Sequence, residues 1–206
     1  MNKKIMLLDV QTLDVKHPFI YEVSYGIYEK IGDEYIPIKL VDRLNKNIYK
    51  LVKKGLGGFS KSNADFYEKY ESILPQVGLT RILAIRNSDI KDFGIKTIYS
   101  FNATFDRRAI AYTAINTLKA GLRNPLLRNI PYTDIGAKAK KKLYNTEAYQ
   151  AYCKKHGYSY KVGKEIKICA TANAFYSYVA KKPKQSKLHV GCREVIKKRE
   201  ILKAVI

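Results

Sequence analysis

The chain opens on an apolar run, Ile5-Met6-Leu7-Leu8, which Asp9 interrupts before Val10. A short unbroken apolar run between polar flanks predicts a strand buried on both faces. After a turn at His17-Pro18, Phe19–Glu29 alternates apolar with polar residues as a second strand, and Gly32-Asp33 turns it into a third over Tyr35–Val41. Lys50–Gly58 is basic and glycine-rich, without the spacing of a phosphate-binding loop, and reads as a mobile loop before a helix capped near Ser62-Asn63. Helical spacing follows over Asp65–Leu74 and Thr80–Phe93, on either side of Pro75. Ile95–Ser100 reads as a fourth strand, and a long helix starts at Asn102 or Thr104 and runs to about Lys119. Beyond a loop at Arg123–Pro131, Tyr132-Thr133-Asp134 completes a fifth strand. The remainder is helical and basic, with a small hairpin over Gly157–Lys167 and helices over Ala170–Ala180 and Arg193–Ile206. The last helix carries Val195, Ile196, Ile201, Leu202 and Val205 on its apolar side. No repeat or linker divides residues 1–206, so the pattern predicts one α/β domain: a mixed five-stranded sheet flanked by helices, with a helical basic C-terminal half.

Composition narrows the partner. Of 206 residues, 39 are Lys or Arg and 18 are Asp or Glu, a formal charge of +21. A lysine-rich background accounts for part of this, but a two-to-one excess of basic residues points to a polyanionic partner, DNA before RNA. Cys153, Cys169 and Cys192 form no CxxC pair, which argues against a disulfide framework and a structural zinc site. No apolar run is long enough to span a bilayer, and Met6–Val10 is too short for a signal peptide. These features predict a soluble cytoplasmic protein without a membrane partner.

Asp9 stands where the first strand should end. A carboxylate there is a turn or cap residue unless something cationic meets it, and a divalent ion is one such partner. Two later stretches bear on that choice: Ser100-Phe101-Asn102-Ala103-Thr104-Phe105-Asp106 and His189-Val190-Gly191-Cys192-Arg193-Glu194. Together with Asp9-Val10-Gln11, they resemble the motifs of the DnaQ-like 3′–5′ exonucleases: Asp-x-Glu, Asn-Ala-x-Phe-Asp and His-x4-Asp. The likeness covers nearly the whole chain. Small stand-alone phage exonucleases also share the run through Tyr149–Cys153, Gly157-Tyr158 and Thr171–Ala174.

The resemblance implies a ribonuclease-H-like sheet and a two-ion Mg²⁺ or Mn²⁺ centre. Asp9, Gln11, Asp106 and Glu194 would be its metal ligands and His189 its general base, a task suited to an imidazole pKa of about 6.5. It also implies that Thr12 and Leu13 cradle the terminal nucleotide, Leu13 as a wedge, and that Asn102 touches substrate or holds its loop. Two positions depart from the pattern. Gln11 replaces the family Glu and removes a charge that holds hard cations; Glu194 replaces Asp and moves its carboxylate by about 1.5 Å. Drift into a binding protein, a slow enzyme that tolerates the amide, and an isosteric change that traps substrate all fit Gln11.

Lysine clusters at Lys138–Lys142, Lys181–Lys187 and Lys197–Arg199 are individually ordinary solvated faces. Together they predict a phosphate-binding surface, with Lys138, Lys140, Lys141, Lys142, Lys182, Lys184 and Lys187 as contacts. Tyr144, Tyr149, Tyr152, Tyr158 and Tyr160 are interleaved and available either to stack on bases or to fill the core. Asp134 reads as a helix cap, Asp14, Asp89 and Asp92 as solvated, and His17 and His156 as structural. The resulting expectation is a metal-dependent 3′–5′ exonuclease acting on single-stranded DNA ends, attenuated by Gln11. Its rivals are a non-catalytic nucleic-acid-binding protein on the same fold and a basic protein-interaction factor.

Overall fold

The structure is a computed structural model that describes residues 2–53, 67–69, 72–118, 130–182 and 191–206. A mixed six-stranded sheet, ordered β4-β3-β2-β1-β5-β6, lies between two layers of helices. Strands β1 (Lys4–Thr12), β2 (Ile20–Ile31) and β3 (Glu34–Asn45) form an antiparallel meander. Strands β5 (Ile98–Ser100) and β6 (Tyr132–Asp134) extend it in parallel beside β1. The sixth strand, β4 (Gln76–Val77), lies beside Leu44 and Asn45 of β3. Two residues around a proline-bounded turn are too few to show a period, so the pattern predicts five strands where six form.

β1 is buried on both sides, as a strand covered by helices on either face must be. Met6, Leu8 and Val10 join Val23, Tyr25, Ile27 and Val41 beneath α2 (Leu79–Asp92) and α3 (Ala103–Leu118). Ile5 and Leu7 point the other way, against a layer built by α4 (Ile135–Ala139), α5 (Glu147–Lys155), α6 (Ala172–Val179) and α7 (Gly191–Val205). Since side chains alternate along a strand, Asp9 falls on the α7 side. That placement sets up the chemistry.

Several elements differ from the predicted ones. Lys46–Lys53 forms α1, whose Ile48, Tyr49 and Val52 pack on Tyr21, Leu44 and Tyr67, so Lys50–Lys53 is helix and not loop. The rest of that glycine-rich stretch, with the Ser62-Asn63 cap, lies outside the described residues, as does most of Arg123–Pro131; of the predicted helix over Asp65–Leu74, residues 67–69 are helical and 72–74 form a turn and bend. Strand β2 is almost wholly buried although its sequence alternates, because Glu22 and Ser24 face α7 rather than water. A π-helical turn at Lys140–Tyr144 follows α4, and β7 (Ser159–Val162) and β8 (Glu165–Ile168) form the expected separate hairpin. Asp134 caps α4, accepting the Ala137 amide at 3.0 Å. Asp89 is buried, not solvated, and takes the Tyr25 hydroxyl at 2.6 Å and the Lys39 ammonium at 2.7 Å. No helix among the described residues is long and apolar enough to cross a membrane.

Helix α7 starts on Gly191, whose φ of 51° lies in the left-handed region. A Cβ there would sit 2.0 Å from Asp42 Oδ2. Strain and clash add, so Gly191→Ala is expected to destabilise the chain by about 2 kcal/mol or more, read by urea unfolding. An unchanged midpoint would mean that α7 is not seated as described.

Candidate functional site

The carboxyl ends of β1 and β5, the first turn of α3 and the inner face of α7 meet at one point. In open α/β sheets this edge is where ligands are commonly handled. Asp9 comes from β1, Ser100 from the end of β5, Asp106 from α3, and Glu194 and Lys198 from α7. All five side chains are buried.

Lys198 occupies the middle. Its ammonium lies 2.6 Å from Asp9 Oδ1, 2.7 Å from the Leu8 carbonyl, 3.2 Å from Ser100 Oγ and 3.6 Å from Asp106 Oδ2. Ser100 in turn donates to Asp106 Oδ2. Gln11 Nε2 donates to the other Asp9 oxygen, Oδ2, at 2.6 Å. From the preceding position on α7, Lys197 Nζ reaches back one turn to Glu194 Oε1 at 2.7 Å and bonds Asn173 Oδ1 at 2.8 Å.

Burial lifts the pKa of Asp9 above the usual carboxylate range; Lys198 opposes that lift and Glu194 adds to it. Burial, reinforced by Asp9, pushes Asp106 up to about 7 against the pull of Lys198. For Lys198 itself burial favours the neutral amine, but Asp9 and Asp106 together outweigh it and raise its pKa. The lysine is therefore held as a cation among acids that are reluctant to ionise.

A metal centre places different demands on the same residues. Hard divalent ions need several oxygen ligands and net negative charge. Here Asp9 is engaged through both oxygens by N–H donors, and the position flanked by Asp9 and Asp106 holds an ammonium. Among the described residues, no three His, Cys, Asp or Glu side chains form a group able to hold one ion. As placed, the position between Asp9 and Asp106 that the motifs would give to an ion holds the Lys198 ammonium.

The remaining predicted positions scatter. His189, Lys184 and Lys187 lie outside the described residues. Thr12 bonds the Asp14 carbonyl at 3.0 Å, and Leu13, partly buried, packs against the cluster that holds Tyr21 and Leu44. Asn102 is exposed and caps α3 by accepting the Phe105 amide at 3.4 Å. Lys138, Lys140, Lys141, Lys142 and Lys182 are all exposed. Lys197 and Lys198 are buried, which removes them from the predicted phosphate-binding face. Among the tyrosines, Tyr149 is core, stacked on Phe175 at 4.8 Å, whereas Tyr160 is exposed.

A second acidic pair, unforeseen from the sequence, lies beside the start of α7. Glu22 Oε2 accepts the Tyr67 hydroxyl at 2.5 Å and the Gly191 amide at 3.1 Å. Asp42 accepts the Ser24 hydroxyl at 2.9 Å and the Cys192 amide at 3.3 Å. Glu22 Oε1 has no hydrogen-bond partner among the described residues and neighbours Asp42, so a proton shared between the carboxyls would satisfy both. Glu22 faces Gln11 across the β1–β2 ladder, and Asp42 faces Ser24 across β2–β3. The signal available in sequence was polar residues at every second position of β2, which ordinarily marks a solvated face. Compared with protein-family models and with curated proteins, the chain matches neither.

Burial first, and then the neighbouring Asp42, raises the Glu22 pKa well above its ordinary value. Between the ordinary and raised values, the folded chain holds a proton that the unfolded chain has released. That contribution to stability is complete at acid pH and is lost as pH rises through the folded value. Glu22→Gln is neutral throughout and removes the linkage. Its melting temperature relative to the parent should therefore climb as pH rises above the ordinary glutamate range. Parallel pH profiles for the two proteins would count against a protonated Glu22.

Proposed function

We propose that this chain is a nucleic-acid-binding protein on a ribonuclease-H-like, exonuclease-type scaffold whose carboxylate centre is neutralised from within. The observation that carries this reading is the pairing of the acids with the chain's own lysines: Lys198 with Asp9 and Asp106, and Lys197 with Glu194. An acidic centre without a counter-cation repels phosphate; one paired with ammonium groups does not. The charge of +21 supplies the attraction, and the exposed Lys138, Lys140, Lys141 and Lys142 are clustered on α4 and the turn after it. The mixed sheet with β1 at its centre and acids at the strand ends supports the choice of scaffold.

A metal-dependent 3′–5′ exonuclease is the second reading. It is favoured by one observation, that Asp9 and Asp106 reach a common cation from different elements.

Binding and cleavage are separated with a 5′-labelled single-stranded oligonucleotide, in EDTA and in Mg²⁺ or Mn²⁺. We expect binding that weakens steeply with salt, no dependence on a divalent ion and no shortening of the label. Replacing Lys138, Lys140, Lys141 and Lys142 by Ala should flatten the log–log salt slope by up to about 3. A metal-dependent ladder that disappears with Asp106→Ala would establish the exonuclease instead. Failure to bind any oligonucleotide would leave a protein-interaction role.

A further inference from the structure

We infer that Lys198 is a built-in cation: its ammonium takes the place a divalent ion would hold between Asp9 and Asp106, and exchanging it for a carboxylate opens a divalent-cation site. This goes beyond nucleic-acid binding and does not depend on it.

The surroundings of the ammonium support the inference. Its neighbours are all oxygens: Asp9 Oδ1, the Leu8 carbonyl, Ser100 Oγ and Asp106 Oδ2. A shell of carboxylate, carbonyl and hydroxyl oxygens from separate elements is the kind a hard cation selects. An ammonium has three N–H donors, and the Asp9, Leu8 and Ser100 oxygens account for all of them. Asp106 is met by charge at the longer distance.

The group also does what a structural ion does, since it ties β1 and β5 and the start of α3 to α7. Its own side chain is buried at 3% exposure, so bulk water does not provide the compensation. Lys198 lies four residues after Glu194, one helical turn on, and so shares the inner face of α7 with it. A carboxylate at this position would enter the same space. The local charge would change by two units, and the number of acids facing Asp9 would rise by one.

The test uses Mn²⁺ alone, without nucleic acid, read by electron paramagnetic resonance of the free ion and by thermal unfolding. The full chain, Asp9→Asn, Lys198→Glu, and Lys198→Glu combined with Asp9→Asn are compared. The parent and Asp9→Asn should bind Mn²⁺ with the same weak affinity. Lys198→Glu should bind about tenfold or more tightly, and the added Asp9→Asn should abolish that gain. The melting temperature of Lys198→Glu should rise with Mn²⁺, while that of the parent stays fixed. A folded Lys198→Glu that gains no Mn²⁺ affinity overturns the inference. Because the substitution falls at a buried position, the parent supplies a test independent of that variant's folding: Mn²⁺ binding by the parent that Asp9→Asn abolishes overturns the inference on its own. Nucleic-acid binding can fail without affecting either result.

Discussion

A buried charge must find its opposite, and in this fold that requirement converges on one atom, the Nζ of Lys198. Three acids crowd the ends of β1 and β5 and the inner face of α7, at 8%, 4% and 3% exposure for Asp9, Asp106 and Glu194. Leaving such carboxylates ionised without compensation is prohibitive. Removing one member of a buried ion pair commonly costs about 3–5 kcal/mol. The pairing therefore determines where α7 can sit. With Lys198 fixed between β1 and β5, the helix is anchored midway, and its first turn is held independently by Glu22 and Asp42 through the Gly191 and Cys192 amides. The apolar residues Val195, Ile201 and Leu202 supply the non-directional burial between these polar anchors.

Much of this architecture was legible in the chain. The unbroken apolar run of β1, the hairpin signal at Gly32-Asp33 and the three-residue strand Tyr132-Thr133-Asp134 each correspond to observed strands. Helix α3 begins where Asn102 offers a cap, and α7 follows its apolar spacing. Failures came where tertiary contacts override local pattern. Ile196 sits in the helical stripe by type but is 38% exposed, whereas Lys197 and Lys198 sit in it by position and are buried. A signal existed: Glu194, Lys198, Ile201, Leu202 and Val205 recur at three- and four-residue spacing, so the stripe itself placed charges inside. Reading lysine as a surface residue obscured it. The burial of Asp89 is illegible for a related reason, because its partners Tyr25 and Lys39 are 64 and 50 residues away in sequence.

The polar face of β2 is a further case where residue type misleads. Glu22 and Ser24 look like the solvated half of an alternating strand, yet they face α7 and neighbour Asp42. Their burial is tolerable because two backbone amides, a tyrosine hydroxyl and a serine hydroxyl reach the carboxyl groups. The start of α7 thus rests on hydrogen bonds to acids, and its middle on an ion pair. Both are directional, so they fix the register of the helix more sharply than apolar packing alone.

Gln11 and Lys198 make sense together. A Glu at position 11 would place a second carboxylate against Asp9, where the amide now donates a hydrogen bond at 2.6 Å. With that acid absent, the centre carries three carboxylates, and the Asp106 pKa of about 7 leaves that group poised between its charged and neutral forms near neutrality. Two ammonium groups then bring the cluster close to neutral without an external ion. The amide and the lysine also divide the work on Asp9, one on each oxygen, so both of its acceptor atoms are met. Either change alone would unbalance the centre: an added acid would leave charge in excess of the lysines, and a lost lysine would strand Asp9 and Asp106 together. Their coexistence is what electrostatic compensation within a single chain requires.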